Sequence, residues 1–263
     1  MGGLVATRYG LGGVAVLDSV SFILAAGLTA AIAASPRPHS ASKTEVGVWS
    51  SVWREWKGGL QVIRRSRVLL VVFTVMAFTS IGEGVMGAIF WVFVDEVLGG
   101  SSAEAGWLLS AQAVGGLIGS VVIGSWFRTS SAIRLLGGGA IGLGAIDLAI
   151  FNYPAVLGGI WLGLVLMVVV GVPATAFGTG FTSTIQTEAE DAYRGRVFGG
   201  LNTTMALFTI AGAAIAGAVT ARLGPVTMLS VQSVSYIAAG TFALWMLRSR
   251  RPSAVIAEKL RNL

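Results

Sequence analysis

The amino-acid sequence predicts an all-α membrane protein, a polytopic bundle of spanning helices. Hydrophobic residues make up 54% of the chain, and charged residues only 11%, against roughly 25% in a soluble domain. The mean hydropathy is +0.80. The apolar residues form continuous runs long enough to cross a bilayer, without the alternation typical of barrel strands.

Seven such runs occur along the chain. Proline residues at positions 36 and 38 stop the first one. The predicted spans are residues 10–34, 68–93, 106–126, 135–151, 155–177, 197–221 and 225–247.

Basic residues predict the orientation of these spans. Of the 18 lysines and arginines, 16 fall in residues 35–67, 127–134, 194–196 and 248–263. Because these segments follow every second span, they lie on one side, and the positive-inside rule makes that side cytoplasmic. We therefore expect a multi-pass protein of the plasma membrane (bacterial inner membrane) with a cytoplasmic C-terminus and membrane lipid as a partner. Charge spread over four short segments does not form a nucleic-acid groove.

Seven spans and a cytoplasmic tail would place Met1 on the outer side. The opening "LVATRYGLGG" is similar to an outer turn between two helices. We expect the chain to be a fragment of a longer protein or a shortened reading frame.

Residues 35–67 form the one long polar connection. Its second half carries apolar side chains at three- and four-residue spacing, which place them on one helical face. Three interpretations remain open: a helix in the membrane interface, a helix packed under the bundle, which overlaps with the first, or a helix that binds a partner protein. The residues of this face are Trp49, Val52, Trp53, Trp56, Leu60 and Ile63.

Three acidic residues fall inside apolar runs, where charge is costly and therefore marks candidate functional groups. Glu83 lies mid-run in "TSIGEGVMG", which suits proton exchange or binding of a cationic compound; a structural polar contact is the alternative. Asp18, beside Ser19 and Ser21, favours hydrogen bonding between helices. Asp147 lies near a helix end, where we expect contact with water.

Four stretches in order resemble the major facilitator superfamily, in particular its drug- and siderophore-exporter-like branch. They are "VLDSVSFILAAGL" (16–28), "GGLQVIRRSRVLLVV" (58–72), "DEVLGGSSAEAGWLLSAQAVGGLIGSVVIG" (95–124) and "QTEAEDAYRGRVFG" (186–199). The resemblance covers about the last seven helices of a usual twelve. It implies a last helix of an N-terminal bundle (1–34), a cytoplasmic linker (35–67), a six-helix C-terminal bundle (68–247) and a basic tail (248–263).

The resemblance also implies roles for particular side chains. Gln112 and Asn202 would lie on helices that line the central cavity, as Glu83 would. Phe90 and Trp91 would supply an aromatic wall or an interfacial belt. Pro173, inside a predicted helix, would form a hinge between two transport states.

The charged turn "TEAEDAYRGRVFGG" (187–200) has two interpretations. Arg194, Gly195 and Arg196 anchor a cytoplasmic turn, or an arginine pairs with the other half of the protein as a gate. Here the turn lacks the proline common in this branch, and "GSWFRTSSAIR" (124–134) lacks the acid of the usual gating motif.

Taken together, these features predict a transporter, with proton-coupled efflux of an amphipathic drug or siderophore-like small molecule as its activity. A missing N-terminal half or a second copy of the chain would be its protein partner. The alternative is a non-transporting membrane scaffold or partner subunit. No HExxH, GxSxG or GxxxxGK[ST] motif and no cysteine is present, so we expect neither an enzyme, nor a cofactor, nor a metal site.

Overall fold

A computed structural model describes residues 2–31, 56–61, 63–64, 66–126, 131–189 and 193–248, and in these residues it contains helices and no strands. A π-helical turn (Phe93–Val97) extends the second helix, and a 3-10 turn (Tyr153–Ala155) follows the fourth. The all-α prediction is confirmed. The long helices are α1 (Gly2–Ala31), α2 (Arg67–Val92), α3 (Ser102–Trp126), α4 (Ala132–Asn152), α5 (Trp161–Glu188), α6 (Arg194–Leu223) and α7 (Pro225–Leu247).

Six of these helices, α2 to α7, are long and apolar enough to cross a membrane. The first helix differs from the span predicted at 10–34. Its apolar part covers Ala15–Ala30, about 24 Å at 1.5 Å per residue, which is shorter than a bilayer core. Gly10, with φ 66°, breaks the helix before this part. The described residues therefore contain six helices that are long and apolar enough to span a membrane, preceded by α1, whose apolar part is shorter.

Local sequence signals set the helix ends. At the start of α2, the Ser66 hydroxyl accepts a hydrogen bond from the backbone amide of Leu69. The Glu104 carboxylate accepts a hydrogen bond from the backbone amide of Ser101, and the Ser101 hydroxyl accepts one from the backbone amide of Ala103. These two bonds form a capping box for α3. Gly224, with φ 78°, ends α6, and the next residue is the proline that opens α7.

The spanning helices pack in the order α6, α2, α7, α4, α5, α3. The order is symmetric. If α2, α3 and α4 are exchanged with α5, α6 and α7, respectively, the same order is obtained, read from the other end. The two sets begin at opposite ends of the bundle because neighbouring helices alternate in direction. The bundle is thus built from two three-helix repeats of inverted topology, as in many transporter folds.

Glycines permit the closest helix crossings in both repeats. A Cβ added to Gly115 of α3 would collide with the Val168 carbonyl of α5. The equivalent crossing joins α6 and α2, where a Cβ on Gly212 would collide with the Ile81 carbonyl. Small residues at such positions are the usual basis of helix association in lipid.

The buried side chains form two apolar clusters at the two ends of the bundle. One cluster lies where α2, α4 and α6 begin, and includes Val72, Leu136 and Val197. The other lies at the opposite end and includes Phe93, Phe151 and Leu229. Between them α2, α4 and α7 carry a layer with buried polar residues, which therefore lies near the middle of the bundle.

The first of these ends is called the basic end here, because α2, α4 and α6 begin with arginine-bearing turns there and α7 ends there at Arg248. The acidic residues Asp95, Glu96 and Glu104 lie at the opposite end, together with the basic residue Arg222 in the last turn of α6. This arrangement agrees with the charge distribution on which the orientation was predicted.

The described part of the polar connection packs under the bundle. A Cβ on Gly59 would collide with the Arg196 carbonyl, the Trp56 indole donates to the Thr204 hydroxyl (3.2 Å), and Ile63 is 1% exposed. The contacts of residues 56–61 and 63–64 therefore agree with a helix packed under the bundle. Trp49, Val52 and Trp53 lie outside the described residues.

The span predicted at 155–177 is displaced in the structure. Residues 156–160 form a turn with Gly159 at φ 94°, so α5 begins only at Trp161. It continues to Glu188, and in its last turns the hydroxyls of Thr184 and Thr187 donate to the carbonyls of Gly180 and Ser183, four residues earlier. The hydropathy falls there, but the helix does not end.

Matched alanine substitutions test the glycine crossings. We expect Gly115→Ala to lower the free energy of unfolding by about 1–3 kcal/mol, because α3 and α5 must move apart. Gly116→Ala is the control, since its Cβ would meet only the Thr175 hydroxyl at 3.7 Å. Thermal unfolding of both variants in detergent measures the difference. Equal stability of the two variants would contradict the described crossing.

Candidate functional site

Glu83 lies at the middle of α2, on an exposed surface of the bundle. Its Oε1 accepts a hydrogen bond from the Tyr236 hydroxyl of α7. Tyr236 is 1% exposed, so the hydroxyl reaches the surface from a ring that is held inside. A hydrogen bond to a charged acceptor is stronger than one between neutral groups.

Three neighbouring helices surround the Tyr236 side chain. Phe177 of α5 packs edge-on against it, with centroids 5.8 Å apart and an interplanar angle of 71°. Glycines bring α2 and α4 close to α7: a Cβ on Gly82 would lie 3.6 Å from Tyr236 Cε2, and one on Gly144 would lie 3.0 Å from Tyr236 Cβ. The ring therefore has little freedom, and its hydroxyl is fixed toward Glu83.

Asp147 of α4 lies in the same layer and is 4% exposed. The expectation of contact with water is wrong, because α7 covers this face of α4. The Gln232 amide of α7 lies close enough to the Asp147 carboxyl to interact with it electrostatically, and Asp147 also lies within electrostatic range of Glu83 and Tyr236. Asp147, Glu83, Tyr236 and Gln232 form what is called the carboxyl cluster below.

Gln232 is the unusual member of this cluster. It is 3% exposed, and neither its side-chain nitrogen nor its side-chain oxygen forms a hydrogen bond with the described residues. Such a group costs about 1–3 kcal/mol when buried. The interaction with Asp147 is therefore electrostatic proximity rather than a formed hydrogen bond.

The carboxyl cluster has the groups that bind and release protons or small cations. Two carboxyls are supplied by different helices, with a phenol and an amide beside them. Acidic residues within spanning helices mark ion or substrate pathways. Within the described residues no three His, Cys, Asp or Glu side chains lie close enough together to hold a metal ion.

The other polar candidates lie apart from this cluster. Gln112 is half-buried on α3, and Asn202 is exposed on α6. Asp18 is exposed on α1, where the Ser19 and Ser21 hydroxyls bond to carbonyls of their own helix. No hydrogen bond among the described residues joins these side chains to Glu83, and their proposed roles stay predictions.

The aromatic and hinge candidates lie in different environments. Phe90 is 3% exposed in the apolar cluster of the opposite end, whereas Trp91 is 48% exposed. Pro173 lies inside α5, half-buried, and its ring would be 3.0 Å from a Cβ placed on Gly142 of α4. The hinge role of Pro173 stays a prediction.

The turn between α5 and α6 is held by Arg194. Its guanidinium donates to the carbonyl of Ala189 (3.2 Å) and to that of Gln186. These carbonyls belong to the C-terminal end of α5, where a cation is favourable. Arg196 lies over the Tyr193 ring at 5.9 Å. These contacts fit the anchor interpretation, and the gate stays a prediction.

Sequence reasoning missed Gln232 and Tyr236. The signal for them is their spacing: four residues apart, they share one face of a predicted spanning helix. Their proximity to Glu83 depends on the packing of α7 between α2 and α4, which the sequence does not specify.

The fold and this buried polar layer define a polytopic membrane bundle of inverted repeats. The family model of the Major Facilitator Superfamily matches residues 72–261. The chain therefore belongs to the Major Facilitator Superfamily, whose members are transporters rather than enzymes. No curated protein and no solved structure matches the chain significantly.

Replacement of Arg194 tests the anchor. We expect Arg194→Gln to speed amide hydrogen exchange at residues 186–195 about fivefold, because loss of a charged contact with the end of α5 costs about 1 kcal/mol. Arg196→Gln is the control, since its described contact is with the Tyr193 ring. Equal exchange in Arg194→Gln and in the unchanged chain would contradict the anchor.

Proposed function

We propose that this chain is the proton-binding bundle of an exporter that moves amphipathic, cationic or siderophore-like molecules out of the cell in exchange for protons. The observation that carries the proposal is the hydrogen bond from the buried Tyr236 to Glu83, in the middle of the bundle. A mid-membrane acid with a fixed donor is suited to exchange between a proton and a cation.

Tyr236 gives Glu83 two distinguishable states. While Glu83 is ionised, the phenol donates to it and the α2–α7 contact is closed. When Glu83 takes up a proton, or a cationic substrate pairs with it, that hydrogen bond loses its charged acceptor and weakens. Occupancy of Glu83 thereby changes the contact between two helices, which is what coupling requires.

Asp147 and Gln232 extend this coupling into the bundle. Asp147 lies within electrostatic range of Glu83, so the two carboxyls are electrostatically linked. Gln232, buried without a hydrogen bond, is available to either carboxyl. A small movement of α7 against α4 would supply its missing partner in a second conformation, which favours an alternating arrangement of these helices.

A second bundle would complete the transport path. Helices α3 and α6 stand at the two ends of the packing order and are the least buried of the six spans. They carry Gln112 and Asn202, which would then line the space between two bundles. The partner bundle is an N-terminal half or a second copy of this chain. In this arrangement the basic end faces the cytoplasm of a bacterial inner membrane.

The alternative function is a scaffold or partner subunit without transport. The glycine crossings fit this alternative as well as they fit a transporter. It gives no reason, however, to keep two carboxyls in the interior of the spans. The carboxyl cluster is therefore the feature that favours transport.

Export of a cationic dye tests the proposal. Ethidium accumulation is measured in cells that express the chain, and in cells that express a longer form if the genome encodes one. We expect Glu83→Gln to abolish the export that depends on the protein. We expect Tyr236→Phe to slow it about tenfold, because a hydrogen bond to a charged group is worth about 1.5 kcal/mol.

Glu96→Gln is the matched control, since Glu96 lies at the opposite end of the bundle, and we expect export to be unchanged. If the longer form exports ethidium and this chain does not, the chain carries the proton site but needs the second bundle. Unchanged export by Glu83→Gln, with equal protein in the membrane, would overturn the proposal.

A further inference from the structure

A groove of about 760 Å³ opens between α4 and α7 at the basic end of the bundle. Its end carries Ser131, Arg134 and Arg248. Toward the middle of the bundle its walls are Ile141, Leu244 and Trp245. The groove therefore passes from two positive charges at the level of the helix ends to an apolar surface at membrane depth.

A close helix crossing closes the inner side of this groove. A Cβ on Gly137 of α4 would lie 3.0 Å from the Gly240 carbonyl of α7 and 2.7 Å from Leu244 Cδ2. The helices almost touch there, so the groove does not lead into the bundle. Trp245 is 70% exposed, and the groove is therefore open toward the surrounding bilayer.

Among the described residues that line the groove, none supplies a counter-charge to the two arginines. None of its lining residues is acidic. The Arg134 Nε donates to the Ser131 hydroxyl at 3.3 Å, which orients the guanidinium, and no other hydrogen bond of this side chain is found within the described part of the chain. Guanidinium groups present several donors in a plane that fits phosphate oxygens.

We infer that this groove binds an anionic phospholipid, with the phosphate between Arg134 and Arg248 and an acyl chain along Ile141, Leu244 and Trp245. The arginines recognise the charged headgroup, and the apolar wall requires a ligand with a hydrocarbon tail. Basic grooves between spanning helices at a membrane surface are suited to such lipids. Tryptophan is favoured at this depth of the bilayer. The inference does not depend on transport.

Native mass spectrometry of the full chain in mixed phosphatidylglycerol and phosphatidylcholine micelles tests the site. We expect the unchanged chain to retain phosphatidylglycerol preferentially. Arg134→Gln combined with Arg248→Gln should reduce this preference about thirtyfold, from the contribution of each arginine near a charged lipid surface. Arg222→Gln, at the opposite end, is the matched control and should keep the preference.

Further measurements keep the inference open to refutation if the double variant does not fold. Arg248→Gln alone, beyond the last residue of α7, should reduce the preference about fivefold. Arg134→Lys combined with Arg248→Lys should keep most of it. Added inorganic phosphate should not displace the lipid. An unchanged preference in the Gln variants, an equal loss in Arg222→Gln, or displacement by phosphate would each overturn the inference.

Discussion

Close backbone contact at glycines is the constraint on which the rest of the structure depends. In lipid, the hydrophobic effect does not drive one helix against another, so association depends on dense packing and polar contacts. The crossings at Gly115 and Gly212 stand at equivalent places in the two inverted repeats. They fix the packing order of the six spans, and with it the faces that each helix presents.

The carboxyl cluster follows from this packing. Gly82 and Gly144 bring α2 and α4 against α7 on both sides of Tyr236, and the cluster lies between the apolar clusters at the two ends. The same packing leaves α3 and α6 with little burial and forms the groove at Gly137 and Gly240. A proposed proton site, a surface for a second bundle and a proposed lipid site thus share one structural cause.

The sequence predicts the all-α class and the six spanning helices α2 to α7, because long apolar runs and basic connections reflect the physics of the bilayer directly. It also predicts a seventh span at 10–34, where the apolar part of α1 covers only Ala15–Ala30. It identifies Glu83 for the same reason, since one acid in an apolar run is easily seen. It places the start of α5 and the burial of Asp147 incorrectly. Helix ends beyond the apolar run depend on local hydrogen bonds, and burial depends on which neighbour covers a face. Tyr236 and Gln232 are found only when the packing of α7 is known.

Infrared difference spectroscopy of the carboxyl groups tests the central claim that Glu83 takes up a proton under the control of Tyr236. Spectra of the purified chain are compared between alkaline and acidic solution. The account predicts a band from a protonated carboxyl that is missing in Glu83→Gln and shifted in Tyr236→Phe. A spectrum of Glu83→Gln that equals that of the unchanged chain would show that Glu83 does not bind the proton.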